Sequence, residues 1–202
     1  MFPAAVGAVA GLGERSPGVV WLDAHPDFSA PETSDWGYLD AMGLSMLTGG
    51  AWQGVLAGVE GFRPLPETAA VLAGARDFDP SEEVRLDASA VNWLPPERVR
   101  TTVPLLQAVD ALEPRATGLY LHVDLDVLDA DEATVNIYSA PDGLDAAQLG
   151  AVVGAVMDAH PVRALSLTAY DPECDADGRV PPIALRLLEL TASHLRDARP
   201  PR

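Results

Sequence analysis

Lysine is missing from this chain: all 13 of its basic residues are arginine. A Schiff-base amine and a P-loop phosphate grip both need lysine, so those enzyme classes drop out. The 202 residues include one cysteine, Cys174, which cannot pair within the chain and agrees with a reducing compartment. Long apolar runs are missing too: GVVWL at 18–22 and LGAVVGAV at 149–156 fall far short of the roughly 18 residues that cross a bilayer. The apolar start MFPAAVGAVAGLGERS lacks a basic n-region and reads as an amphipathic helix rather than a signal peptide. We therefore expect a cytoplasmic protein that does not engage a membrane. Positive charge is scarce. With 30 acidic residues and a net charge of −17 spread along the chain, nucleic acid meets repulsion instead of a basic stripe.

What is present is a core-forming composition, 48% hydrophobic, punctuated by 17 glycines and 18 prolines that fall between apolar runs. No internal repeat is visible. The length suits one domain over 1–202. Apolar, β-leaning runs at 18–23, 69–75, 90–94, 118–126 and 162–170 alternate with helical patterns near 2–12, 38–48, 80–88, 103–113, 145–159 and 182–197. Asp145 is positioned to cap the helix near 145–159, and Pro181 and Pro182 suit the first turn of the last one. Near-continuous apolar strands separated by helices predict an α/β fold, three-layered α/β/α with a mainly parallel central sheet.

Ligands of such sheets bind beyond the carboxyl ends of strands. Two of the five predicted strands run into acid there: Asp23, His25 and Asp27 after the first, and His122, Asp124 and Asp126, continuing to Asp129 and Asp131, after the fourth. Side chains two apart on a strand share a face, so each set converges as long as the backbone stays extended. A lone Asp-x-Asp is usually a turn, and a lone histidine is usually structural. Two such clusters would crowd repelling carboxylates into one crevice, a cost that bound cations remove. Oxygen-rich donors with one imidazole suit Mn²⁺ or a similar divalent ion better than zinc. Trp36, Trp52 and Trp93 are read as ordinary packing residues.

The stretch Trp21-Leu22-Asp23-Ala24-His25-Pro26-Asp27 resembles the Asp-Ala-His-x-Asp signature of the ureohydrolases, the family of arginase, agmatinase and formimidoylglutamase. His122-Val123-Asp124-Leu125-Asp126-Val127-Leu128-Asp129 resembles that family's second signature, Ser-x-Asp-x-Asp-x-x-Asp-Pro, at the matching separation, and Arg76-Asp77-Phe78-Asp79 is a weaker third match. The likeness extends from about Val19 to Pro172. It implies a manganese-dependent hydrolase that cleaves a C–N bond of a small guanidino or amidino substrate. Two Mn²⁺ ions would be bridged by Asp23 and Asp124, with His25 and Asp126 completing one and Asp27 binding the other. A metal-bridged hydroxide would attack the guanidinium carbon. The resemblance gives Asp27 the further task of orienting that hydroxide, sets Asp79 near the substrate's amino group, and implies a homo-oligomer.

The departures from the family pattern are equally specific. No Gly-Gly-Asp-His segment precedes residue 19, so one ion lacks its usual imidazole, and the chain reads as about a third short, with the first strand or strands of the family fold missing. Asp40 stands where arginases have a proton-shuttling histidine, Ser29 stands for an asparagine in the first substrate loop, and Ala169 stands for the glutamate that grips the guanidinium. His122, where the family has serine, is expected to hydrogen-bond a ligand carboxylate. These changes support an alternative: a catalytically impaired arginase-like protein with a binding or assembly role.

Overall fold

A computed structural model describes residues 2–13 and 17–197. Five strands, β1 (Pro17–Leu22), β2 (Ala70–Ala73), β3 (Asn92–Leu94), β4 (Gly118–Asp124) and β5 (Val162–Thr168), form one sheet in the order β3-β2-β1-β4-β5, every pair parallel. The helices are α1 (Phe2–Gly11), α2 (Gly43–Leu47), α3 (Gln53–Leu56), α4 (Pro80–Asp87), α5 (Pro96–Val99), α6 (Thr102–Asp110), α7 (Ala146–Ala159) and α8 (Val180–Asp197).

Alternation along the strands divides the core in two. Val20 and Leu22 of β1, with Leu121 and Val123 of β4, pack on one side against Leu105 and Val109 of α6, Val152 and Val156 of α7 and Leu187 of α8. Val19, Trp21, Leu72 and Tyr120 face the other way, onto Val6 and Val9 of α1, Leu44 and Leu47 of α2 and Leu86 of α4. Every residue of β1 and β4 is buried, as strands covered on both faces require. β5, at the sheet edge, is only half-buried over most of its length.

All five expected strands are present, and all but β3 end earlier than their apolar runs. Asp126 falls in a 3-10 turn, Leu125–Val127, and Ala169 leaves β5 with φ 67°. The helix expected over 38–48 divides into a 3-10 turn, Asp40–Met42, and the short α2, while α3 and α5 were not expected. Asp145 caps α7 through a reciprocal box with Gln148: its carboxylate accepts from Gln148 N at 2.7 Å, and the Gln148 side chain accepts from Asp145 N at 3.0 Å. Among the described residues, no helix is long and apolar enough to cross a membrane.

Candidate metal centre

From β1 the strand order runs outward to β2 and β3 on one side and to β4 and β5 on the other, so β1 and β4 flank the point where the order reverses. Leu22 pairs with Val123, so the next residues, Asp23 and Asp124, emerge side by side at the carboxyl edge. Both are buried. Asp23 accepts from the Trp21 indole Nε1 at 3.0 Å and from His25 N at 2.8 Å.

The convergence is achieved by turns rather than by extended strands. Asp27 sits at φ 49°, in the left-handed region, and lines the same cavity as Asp23 and Asp124. Asp126 N donates to Asp124 Oδ1 at 2.9 Å, folding the 3-10 turn so that the Asp126 carboxylate faces β1. There it accepts from Ala24 N at 3.3 Å and from the Asn136 amide at 3.1 Å. His25 Nδ1 lies 3.4 Å from both Asp23 Oδ1 and Asp126 Oδ2. Two groups of potential ligand atoms result, Asp23–His25–Asp126 and Asp23–His122–Asp124, each within 4.8 Å of one another and sharing Asp23.

Charge in this space is strained without a cation. Burial, reinforced by Asp126, pushes the Asp23 carboxyl up to about 7. Burial and neighbouring carboxylates also raise Asp27 and Asp124. For Asp126 burial opposes ionisation, but hydrogen bonding to His25, Asp124 and Asn136 prevails and holds it down at about 2. Burial likewise disfavours the His25 imidazolium, yet Asp126 and Asp23 outweigh it and lift it to about 11. His122, enclosed without an anionic hydrogen-bond partner, is pressed down to about 3 by burial.

These groups floor a cavity of about 940 Å³. Beyond Asp23, Asp27, Asp124 and Asp126, its walls carry Asp40, Asp77, Asp79, Glu82 and Asp171, with the aromatic rings of Trp36, Tyr38, Phe78, Tyr138 and Tyr170. None of the described lining residues is an arginine.

Of the predicted site residues, the structure brings Asp23, His25, Asp27, Asp124 and Asp126 together on the floor and sets Asp40 and Asp79 on the walls of the same cavity. Ser29 does not line the cavity: it is buried, with its hydroxyl on Glu82 Oε1 at 3.3 Å. Asp129 serves the backbone, accepting from Asp131 N and Gly143 N at 2.8 Å each. Trp36 is not a packing residue. It is 82% exposed on the cavity wall. His122 meets hydroxyls rather than a carboxylate: Ser166 and Tyr120 at Nδ1 and Thr168 at Nε2.

Several supporting residues lie outside the two signature stretches. Asn136 holds Asp126, Glu82 accepts from Phe28 N at 2.7 Å, and Thr168 Oγ1 lies 3.4 Å from Asp124 Oδ2. Arg76 spends its guanidinium on carbonyls: Nη2 reaches Asp126 O, Leu128 O and Ala140 O at 3.1, 2.9 and 2.8 Å, and Nε reaches Pro141 O at 2.7 Å. It staples together both ends of the loop that carries Asn136 and Tyr138.

Fold and cavity together define an α/β protein with a carboxylate-rich crevice at the strand-order reversal of a parallel sheet. The arginase family model matches residues 3–192, and the chain belongs to that family. It is 36% identical over 138 residues to N(omega)-hydroxy-L-arginine amidinohydrolase of Streptomyces lavendulae, which covers 68% of this chain and 46% of that protein. Against arginase of Bacillus subtilis (strain 168) it is 32% identical over 136 residues, or 64% of this chain and 45% of that one. The crystal structure of the Bacillus subtilis arginase matches with a TM-score of 0.79 at 25% identity, covering 90% of this chain and 63% of that one. The chain thus spans just under half the length of these curated relatives.

Proposed function

We propose that this chain carries a manganese-dependent hydrolase site that cleaves a C–N bond of a guanidino or amidino compound, its residues 1–202 acting as one unit. The observation that carries the reading is Asp27 Oδ2, a buried carboxylate oxygen without a hydrogen-bond partner beside two convergent ligand groups. A buried orphan acceptor is costly, and a divalent cation repays it. The donor set fits: carboxylate oxygens with an imidazole suit Mn²⁺. Asp23, His25, Asp27, Asp124 and Asp126 would hold two ions, with Asp23 the member common to both groups.

When bound, such ions supply Lewis acidity, making a water nucleophilic near neutral pH. The remaining work belongs to the chain. Asp27 accepts a hydrogen bond from the attacking water and orients its lone pair toward the amidino carbon. As the water oxygen adds and the C–N bond breaks, a proton must reach the leaving amine, and Asp40 on the cavity wall relays it. Asp79 receives the cationic end of the substrate. Burial of the floor keeps bulk water from competing for the Asp27 contact.

The test is release of urea or a related amide from a panel of guanidines by metal-stripped protein with and without added Mn²⁺. Turnover that requires Mn²⁺ and is lost in Asp27→Asn supports the reading; metal-loaded protein inert across the panel sinks it. One observation favours a second reading, a catalytically impaired family member with a binding or assembly role: Ala169 brings only a methyl group to the cavity lining. Tight metal binding with no turnover selects that alternative. Self-association is also proposed, because the sheet-edge β5 is half-buried and Leu185 and Leu188 of α8 are exposed; sedimentation equilibrium tests it.

A further inference from the structure

His122 lies two residues before Asp124 on the same face of β4, opposite Trp21 in the sheet register, and is fully buried. Its ring stacks on the Trp21 indole with centroids 3.6 Å apart and planes 14° from parallel, which fixes the imidazole plane. Its Nδ1 is 2.9 Å from Ser166 Oγ and 3.1 Å from the Tyr120 hydroxyl, and those hydroxyls lie 2.7 Å from each other. With the Tyr120 O–H donating to Ser166 Oγ, both oxygens keep lone pairs for an Nδ1–H. That tautomer leaves the Nε2 lone pair facing the carboxyl edge of the sheet. There Nε2 meets Thr168 Oγ1 at 3.4 Å, a long contact, and Thr168 Oγ1 is in turn 3.4 Å from Asp124 Oδ2.

An imidazole locked in plane, with its far N–H held by hydroxyls and its near nitrogen at the Thr168 hydroxyl that neighbours Asp124, is arranged as metal-binding histidines are. Asp23, His122 and Asp124 bring ligand atoms within 4.8 Å of one another, all three residues buried. The second ligand group, Asp23–His25–Asp126, has the same composition: two carboxylates and one imidazole.

We propose that His122 is itself a metal ligand, the nitrogen donor for the ion held by Asp23 and Asp124, as His25 is for the ion held by Asp23 and Asp126. This rests on reading the pocket as a metal site. One nitrogen at each position sets the selectivity: Mn²⁺ and Co²⁺ accept imidazole readily, whereas Mg²⁺ and Ca²⁺ prefer all-oxygen shells, so both positions discriminate against the latter pair.

Imidazole nitrogen coupling to bound Mn²⁺, read by pulsed electron paramagnetic resonance, tests the assignment independently of turnover. His160 and His194 do not compete, since they sit against Asp110 and Asp158 on the helices, away from the cavity. In His25→Ala loaded with Mn²⁺, imidazole coupling persists if His122 is a ligand and vanishes if it is not. Should that variant bind no metal, wild-type protein carrying ¹⁵N-histidine decides: two classes of coupled imidazole support the assignment and one overturns it. His122→Gln is expected to lose about tenfold or more in affinity for one ion while His25 coupling remains; unchanged affinity at both positions overturns the proposal. Wild type that binds no Mn²⁺ at all brings down the metal reading of the pocket and this assignment with it, whereas metal bound through His25 alone removes only the assignment.

Discussion

Trp21 donates its indole N–H to Asp23 Oδ2 at 3.0 Å, so a core aromatic on the central strand fixes the carboxylate shared by both ligand groups. The same ring forms the floor under His122. Packing and chemistry are thereby tied at one residue. A side chain serving the core also sets the direction in which one of the two most enclosed acids of the site points.

Trp21→Phe separates these tasks, keeping most of the stacking surface and removing the donor. Asp23 then keeps the His25 backbone and ring nitrogens and loses its indole donor. The expected result is a loss of about 1–3 kcal/mol in urea-induced unfolding of the metal-free protein, the usual cost of depriving a buried polar group of a partner. Mn²⁺ affinity by isothermal titration should fall about tenfold, as it does when a ligand's orienting partner is removed. Unchanged affinity would show that the indole N–H plays no part in presenting Asp23.

The pH dependence of the metal-free protein follows from the floor. Asp23 titrates near 3.8 in an unfolded chain and near 7 when folded, so its contribution is complete in acid and lost as pH rises toward 7. His25, raised from 6.5 to about 11, contributes fully below 6.5 and loses that contribution as pH rises toward 11. His122, lowered from 6.5 to about 3, acts oppositely: its burial as a neutral ring destabilises in acid, and this cost disappears by 6.5. Asp27 and Asp124, also raised, lose their contributions in the same direction as Asp23; the His122 trend offsets part of this in mild acid, and only losses remain above about pH 6.5. Calorimetry of metal-stripped protein should show Tm falling from about pH 6.5 to about pH 9. Added Mn²⁺, which replaces protons among the carboxylates, should raise Tm most at the alkaline end. A Tm that climbs over this range without metal would contradict the charge arrangement described for the floor.

How much of this was legible in the sequence depended on range. Apolar runs located all five strands, and the two that end in acid placed Asp23 and Asp124 at strand ends, because strand patterning and the parallel-sheet rule are local signals. The means of convergence was not legible. Extended spacing was expected for residues 23–27, whereas Asp27 turns into the left-handed region, a conformation its own residue type tolerates but does not announce. Glu82 and Asn136 were missed because each acts across the fold, Glu82 on Phe28 54 positions away and Asn136 from a loop without periodicity. His122 was correctly placed on the Asp124 face, but its partners, Ser166 and Tyr120, depend on strand register. Asp129 extended an acidic run that looked chemical and proved to be a loop acceptor.

Arg76 provides a test of how far the site depends on its surroundings. Its guanidinium joins the Asp126 turn to the segment at 140–141 through carbonyls alone, a multidentate geometry that a lysine ammonium cannot reproduce. Arg76→Lys should therefore lower Mn²⁺ affinity about tenfold by freeing Asp126 and the Asn136 loop, although charge is conserved. Arg100→Gln is the control. Arg100 holds Asp142 O at 2.8 Å and Gly143 O at 3.2 Å in the same region without touching the Asp126 turn, so its loss should reduce Tm and leave metal affinity in place. Equal affinity losses in both variants would mean that general loosening of the loop, not the Arg76 staple, governs the site.

Substrate charge is the last expectation. Four of the nine acids lining the cavity are assigned to the ions; Asp40, Asp77, Asp79, Glu82 and Asp171 remain, with no arginine among the described lining residues to balance them. A guanidinium suits that field. A carboxylate at the other end of the same molecule must approach the remaining acids, and like charges brought together in a part-desolvated cleft cost up to several kcal/mol. Across guanidines matched in length, those without a carboxylate should show kcat/KM higher by about tenfold or more, carried mainly by KM. The advantage should shrink as salt screens the walls, because two of these acids, Asp77 and Asp79, are exposed. Asp79→Asn should narrow the gap by improving the carboxylate-bearing members. A panel in which those members are preferred at low salt would show that neutral donors of the loops, not the acids of the walls, decide what the cavity accepts.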